Sequence, residues 1–248
     1  MYKKSLIMPP SECNTKQLQY AAAMQQYETH WIYPRINQFV SWSNVSLQLL
    51  LVIALYTIPL SWGWHVLAAV IAFVLADFVN GLVHLYMDHN DHYDSIVGPF
   101  IAAFHLHHDI PRYRDRPLWR IYIEESGSKI WLVVYSLVWL LFIMFVPLPP
   151  LLLVIGVYFA VFSSVAEVSH YLCHNSDARW VRRLQSIWLL LPKKHHMRHH
   201  RFDNINYAFL NGMTDPLINW IARHCFSGYQ ATTDQHTVLY QQKIHQPE

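Results

Sequence analysis

Four long apolar stretches limit this chain to a small number of folds. They lie near residues 45–61, 64–86, 130–148 and 150–172, and each approaches the roughly 20 residues that a helix needs to cross a bilayer. Charged residues make up only 14% of the 248 residues, against about 25% in an ordinary soluble domain. A segment in lipid must satisfy its own backbone polar groups, which favours helices. The sequence therefore predicts an all-α, multi-pass membrane protein with about four transmembrane helices.

Short turns join the four stretches into two hairpins. Residues 61–64 separate the first pair and residues 147–150 separate the second, and the Gly and Pro residues in these segments are typical of turns. We therefore predict an N-terminal cytoplasmic or interfacial arm (1–44), a membrane domain (45–225) and a polar C-terminal tail (226–248).

The basic residues predict how the hairpins are oriented. All 18 Lys and Arg residues lie in the N-terminal arm, in the 87–129 connection or after residue 174, and neither tight turn contains one. Two hairpins place these three regions on one face, which the positive-inside rule makes cytoplasmic, together with both termini. A buried soluble domain is the alternative, but it would not explain this asymmetry. The net charge of only +2, with basic segments that flank apolar spans, argues against nucleic acid as a partner.

Four histidine clusters fall at the predicted cytoplasmic ends of the spans. They are His84 with Asp88, His105/His107/His108, His170/His174, and His195/His196/His199/His200. Spacings of three and four residues place side chains on one helix face, and histidine is the commonest metal ligand. So many nitrogens exceed the four ligands of one zinc ion and suit two metals. Imidazole alone does not distinguish Zn, Cu, Fe and Ni. The sequence predicts a cytoplasmic, His-rich, metal-binding cap.

Two acidic residues, Asp77 and Glu167, lie within the spans. Ionisable groups inside a membrane helix are rare and mark functional sites. We expect each carboxylate to accept the distal N–H of a ligand histidine and so fix its tautomer, and Glu167 is also a candidate direct ligand. A buried acid kept neutral by a raised pKa is the alternative. His65 and the histidines near the C-terminus are interpreted as structural or exposed.

Four motifs, in order, resemble the Kua/CarF-type lipid desaturases. They are Ala76–His84, Phe104–Pro111 with its His107-His108 pair, His170-x3-His174, and Leu191–His200. The resemblance covers roughly residues 70–225. That family includes plasmanylethanolamine desaturases, which form the vinyl-ether bond of plasmalogens, and plant plastid enzymes that desaturate an acyl chain of phosphatidylglycerol.

The resemblance implies a membrane di-iron enzyme that uses O2 as co-substrate and external electrons. Carried over by position, the implied iron ligands are His84, His107, His108, His170, His174, His196, His199 and His200. Asp88 and His195 also match family positions, with less defined roles. The plasmalogen branch usually has a histidine four residues after the last box, where this chain has Asn204. The string Asn204-x-Asn206-Tyr207 looks more like the plant branch, which desaturates an acyl chain. This departure leaves plasmalogen formation open, and Asn204 is a candidate to hold a metal-bound water.

The remaining expectations concern partners and rival functions. Candidate contacts to a phosphate headgroup are Arg112, Arg114, Arg116, Arg182 and Arg183, with ordinary positive-inside charge as the alternative. The sequence contains no His-Pro-Gly-Gly haem segment, so the electron donor, a b-type cytochrome or a ferredoxin, is expected to be a separate protein. A His-box hydroxylase, a metal transporter and a non-catalytic metal-binding protein are the alternatives to a lipid desaturase.

Overall fold

The computed structural model describes residues 10–109, 115–202 and 205–226, and all regular elements in these ranges are helical. The all-α prediction is therefore confirmed for this part of the chain. Its α-helices, in order, are α1 (Pro10–Thr29), α2 (Ile32–Ala54), α3 (Trp62–Asp88), α4 (Gly98–Asp109), α5 (Leu118–Glu124), α6 (Ile130–Phe145), α7 (Pro150–Asn175), α8 (Arg179–Ser186), α9 (Lys193–Phe202) and α10 (Asp215–Cys225).

Three helical segments are long and apolar enough to cross a membrane: Ile32–Thr57, Trp62–Asp88 and Pro150–Asn175. A fourth span results only if Leu118–Ser128 and Ile130–Phe145, which meet at 95°, are counted as one broken span. The stretch predicted at 45–61 is the second half of a longer helix. The stretch predicted at 130–148 is shorter than expected, since the 16 residues of α6 extend only about 24 Å at 1.5 Å per residue.

The two hairpins point the same way. Their turns meet in one apolar cluster that contains Ile58, Ala68, Leu153 and Val154, with Leu148 packed against it. Because α3 and α7 both start at this end, their histidine-bearing ends lie together at the other end of the bundle. Helices α3 and α7 pack against each other through small residues that include Ala72, Ala76 and Ala166, which let membrane helices approach closely.

Large apolar side chains cover the outside of the long helices. Phe39 of α2 is 72% exposed, Val70 of α3 is 57% exposed, and Phe145 of α6 is 72% exposed. Large apolar side chains exposed on several helices are typical of a membrane or protein contact. Together with the candidate spans, it defines a helical membrane protein.

Shorter helices pack around the histidine-bearing end of the bundle. A Cβ atom at Gly81 would lie 2.4 Å from Cδ1 of Ile218, so α10 sits directly on the backbone of α3. Helix α1 packs on α4 through an apolar cluster that includes Tyr20, Met24 and Ile101. These contacts hold α10 against α3 and α1 against α4.

Candidate metal centre

Five histidines from three helices direct ring nitrogens at one point. They are His107 of α4, His170 and His174 of α7, and His196 and His200 of α9, and one nitrogen from each lies within 4.8 Å of all the others. We call this set the five-histidine group. The spacing His170-x3-His174 and the spacing from His196 to His200 each place two rings on one helix face, which brings four of the five nitrogens in from two helices.

A second set combines three histidines with a carboxylate. It consists of His84, Asp88, His108 and His199, again with all ligand atoms within 4.8 Å of one another, and we call it the mixed group. An Asp88 oxygen lies 3.0 Å from Nε2 of His108, and the other lies 3.5 Å from Nε2 of His84. His107 and His108 are consecutive on α4 but belong to different groups, because neighbouring residues on a helix point about 100° apart. The two groups are therefore adjacent.

Hydrogen bonds alone do not account for the five-histidine group. Six pairs of Nε2 atoms within it lie 2.8–3.2 Å apart. A neutral imidazole carries its one hydrogen on either nitrogen, so five nitrogens can form at most two such bonds among themselves. Nitrogens about 2.0–2.1 Å from a shared ion would lie about 3.0 Å apart at right angles and about 3.4 Å apart at the tetrahedral angle. The observed distances fit a shared cation.

The tautomers in the mixed group lead to the same result. Nδ1 of His84 donates to the carbonyl oxygen of Tyr207 at 2.7 Å, and Nδ1 of His199 donates to that of Ile205 at 2.8 Å. A carbonyl only accepts, so in the neutral rings both Nε2 atoms carry lone pairs, and these atoms lie 3.1 Å apart. Two lone pairs at that distance repel unless a cation lies between them. Backbone carbonyls are the usual partners that orient metal-binding histidines.

Burial favours the neutral form that a metal requires. Burial and the neighbouring histidines lower the pKa of His107, His196 and His199 well below the ordinary value of 6.5. Desolvation disfavours the charged imidazolium. These three rings, outside the spanning helices, are therefore neutral near pH 7 and available as ligands.

The segment 205–214 connects the two groups to α3 and α10. Asp77 accepts hydrogen bonds from the backbone N–H groups of Asn211, Gly212 and Thr214 and from the Thr214 hydroxyl, at 2.6–3.1 Å. Our expectation that Asp77 orients a ligand histidine is therefore wrong. Asp77 lies two helical turns before His84, and its carboxylate is occupied by this segment.

His195 lies outside both groups, although it neighbours His196. Its Nε2 atom lies 2.6 Å from Oδ2 of Asp215, and the other oxygen of Asp215 accepts the backbone N–H of Ala208. Burial raises the pKa of Asp215 to about 6, and the hydrogen bond from His195 opposes that rise. The pair ties α9 to the first residue of α10. His105 also lies apart, between the Tyr93 hydroxyl and the Met87 carbonyl.

Glu167 differs from its expected role as well. Its carboxylate pairs with Nζ of Lys129 at 2.8 Å and belongs to neither group. Our prediction of the hairpin orientation treats Lys129 as a cytoplasmic charge, but its side chain is 6% exposed and lies between α3 and α7. The sequence contains one signal for this ion pair. Lys129 directly precedes an apolar run, and another span contains an acidic residue, Glu167.

The candidate headgroup residues are only partly described. Arg116 pairs with Glu124, whereas Arg182 and Arg183 are exposed on α8 and line a shallow hollow with Arg179 and Ser186. Trp180, Ile187 and Trp188 are exposed nearby, and such residues favour the membrane interface. Arg112, Arg114 and Asn204 lie outside the described residues.

The fold and the site define a helical membrane protein with two neighbouring histidine-rich groups suited to metal ions. Residues 73–225 match the model of the lipid desaturase domain, and the chain belongs to that family. The match includes all nine residues of the two groups. Comparison with curated proteins and with solved structures gave no match.

Proposed function

We propose that this protein is a membrane-bound, O2-dependent, di-iron lipid desaturase. The observation that carries the proposal is the pair of adjacent ligand groups, together with the family match over residues 73–225. The mixed group contains a carboxylate and the five-histidine group does not, so the two positions are chemically distinct. Imidazole and carboxylate ligands are compatible with iron.

The reaction explains why a cofactor is needed. Desaturation removes two hydrogens from neighbouring carbons of the chain, and O2 is reduced to two waters by these two hydrogens, two external electrons and two protons. No side chain removes hydrogen from an unactivated methylene, and bound iron would supply that chemistry. The electron donor is then a separate redox protein, either a b-type cytochrome or a ferredoxin.

The contribution of the chain itself is positioning and exclusion of water. The rings of His196 and His199 are fully buried, and Phe209 packs against both His84 and His170. This apolar surface would keep water from the site. The groups lie at the ends of α3 and α7 that are opposite the hairpin turns, and the positive-inside rule makes that side, with both termini, cytoplasmic. The hollow on α8 is the proposed contact for a phosphate headgroup.

The direct test is lipid mass spectrometry of cells with and without the protein, combined with iron analysis of the purified protein. The proposal expects one lipid class to lose two hydrogens and the protein to contain two irons per chain. The mass change separates the rival reactions, since a hydroxylase would add one oxygen. One equivalent of zinc with unchanged lipids would refute the proposal in favour of a non-catalytic metal-binding protein.

The position of the new double bond in the product shows which branch of the family the enzyme resembles in its reaction. A vinyl ether would identify plasmalogen formation, and an acyl double bond would agree with the Asn at position 204.

A further inference from the structure

Lys129 has a charged side chain that is buried between α3 and α7, at the depth of the spans. Its residue is 5% exposed, and it directly precedes α6. Nζ contacts the carboxylate of Glu167 at 2.8 Å, the amide oxygen of Asn80 at 2.8 Å, and the carbonyl oxygen of Ser163. An ammonium group has three hydrogens, so these three acceptors match its capacity.

The acceptors belong to the two helices that carry the ligand histidines. Asn80 lies four residues before His84 on α3, and Glu167 lies three residues before His170 on α7. Lys129 therefore links α3 and α7 about one helical turn before His84 of the mixed group and His170 of the five-histidine group. The link acts on one histidine of each group.

Phe209 connects the same charge to the same two histidines. Nζ of Lys129 lies 4.9 Å from the centre of the Phe209 ring, a distance at which a cation and an aromatic face attract each other. The ring centre of Phe209 lies 5.6 Å from that of His84 and 5.4 Å from that of His170. Phe209 thus sits between the two groups with Lys129 against its face.

A stabilising role alone is a weak explanation for this arrangement. A buried ion pair is often no more stabilising than apolar residues of similar volume, because desolvation offsets the attraction. Buried charges inside membrane proteins are rare and mark functional sites. Unlike apolar packing, the ion pair and its hydrogen bonds are directional. Each of these contacts therefore fixes the position of one helix.

We propose that Lys129, held by Glu167 and Asn80, is a positioning residue that sets the spacing between the two ligand groups. Through α3, α7 and Phe209, it keeps His84 and His170 at the separation that lets two ions act as a coupled pair. This inference rests on the proposed di-iron function. Lys129 itself contacts neither group, so its effect is on the relation between the ions and not on the binding of either one.

The test compares Lys129→Met with the double variant Lys129→Met/Glu167→Gln. The single variant leaves an unpaired buried carboxylate and is expected to be destabilised. The double variant removes both charges together and should fold. Lys16→Met is the matched control, because Lys16 forms a partly exposed ion pair with Asp91, and neither residue belongs to α3 or α7.

Iron content, Mössbauer spectra and lipid product are measured on the purified proteins. We expect the double variant to retain two irons per chain but to lose the spin-coupled signal of the oxidised pair, and to lose product formation with it. The control should retain both. A double variant with two irons and the wild-type coupled spectrum would overturn the proposal. A double variant that fails to fold would also overturn it, by showing that the pair stabilises the bundle. If the wild-type protein itself lacks an iron pair, the proposed function fails instead.

Discussion

The Nε2 atoms of His84 and His199 lie 3.1 Å apart, although 115 residues separate them in the chain. Each ring is fixed by an Nδ1–H donated to a backbone carbonyl, that of Tyr207 and that of Ile205. The two lone pairs therefore face the same point. A bound cation makes this arrangement favourable for two neutral rings, and the strongest predictions concern these two residues.

Replacing His199 by Ala should remove metal from the mixed group. Loss of a residue that merely orients a ligand lowers metal affinity roughly 10–100-fold, so loss of the ligand itself should lower it further. We expect lower iron content in the purified protein and no desaturated lipid in cells. His224→Ala is the control, because His224 is exposed on α10, bonds to the Trp220 carbonyl one turn earlier and belongs to neither group. Unchanged iron content and product in His199→Ala would contradict the assignment.

Replacing Asp77 by Asn should destabilise the protein. The variant places an NH2 group where the carboxylate now accepts from backbone N–H groups of Asn211, Gly212 and Thr214. A buried donor without an acceptor lowers stability by about 1–3 kcal/mol. Thermal unfolding in detergent measures the change, and Asp177→Asn, at an exposed ion pair with Lys193, serves as the control. Equal melting temperatures for the two variants would show that Asp77 does not hold the 205–214 segment.

A matched pair of glycine substitutions tests the contact between α3 and α10. Gly81→Ala puts a methyl group 2.4 Å from Ile218 and 3.1 Å from Cα of Ala208, whereas Gly63→Ala meets no atom within 4 Å. Overpacking typically destabilises by about 1–3 kcal/mol. Gly81→Ala should therefore lower the melting temperature and the metal content, since Ala208 adjoins the Tyr207 carbonyl that orients His84.

Gly63→Ala should be neutral or slightly stabilising, because alanine is the better helix former. If both glycine variants behave alike, the close approach of α10 to α3 does not support the site.

The double variant Arg182→Gln/Arg183→Gln tests the proposed headgroup contact. Near an anionic lipid surface each basic residue contributes about 1 kcal/mol, or roughly fivefold in affinity. The double variant should raise the lipid concentration needed for half-maximal rate and leave iron content unchanged. Arg223→Gln, on the exposed side of α10, is the control. A lower maximal rate with unchanged lipid dependence would speak against headgroup binding.

The sequence predicted the parts of the site that depend on local periodicity. The pairs His84/Asp88 and His170/His174 repeat at one helical turn, and hydropathy identified the helices that carry them. It did not predict how the ligands divide between two groups. His199 lies one residue before His200 yet joins the other group, since that division depends on how α9 is rotated against α3 and α7.

Polar residues within the spans were harder to interpret. Asp77 and Glu167 were recognised as unusual, but their partners are the Asn211–Thr214 backbone and Lys129. Backbone groups leave no pattern in a sequence, and a basic residue at the start of an apolar run resembles an ordinary cytoplasmic charge. The sequence shows that a charged residue within an apolar span is unusual, whereas tertiary packing determines which group it contacts.

The long separation between His84 and His199 also has a consequence for biosynthesis. At about 5–20 residues per second, a ribosome that has completed α3 needs several more seconds before α9 exists. Until then His84 has neither its neighbouring ring nor the Tyr207 carbonyl that fixes its tautomer. A metal ion can bind the complete mixed group only after the chain has been translated past His199 and Tyr207, so a chain truncated before α9 should remain free of metal there.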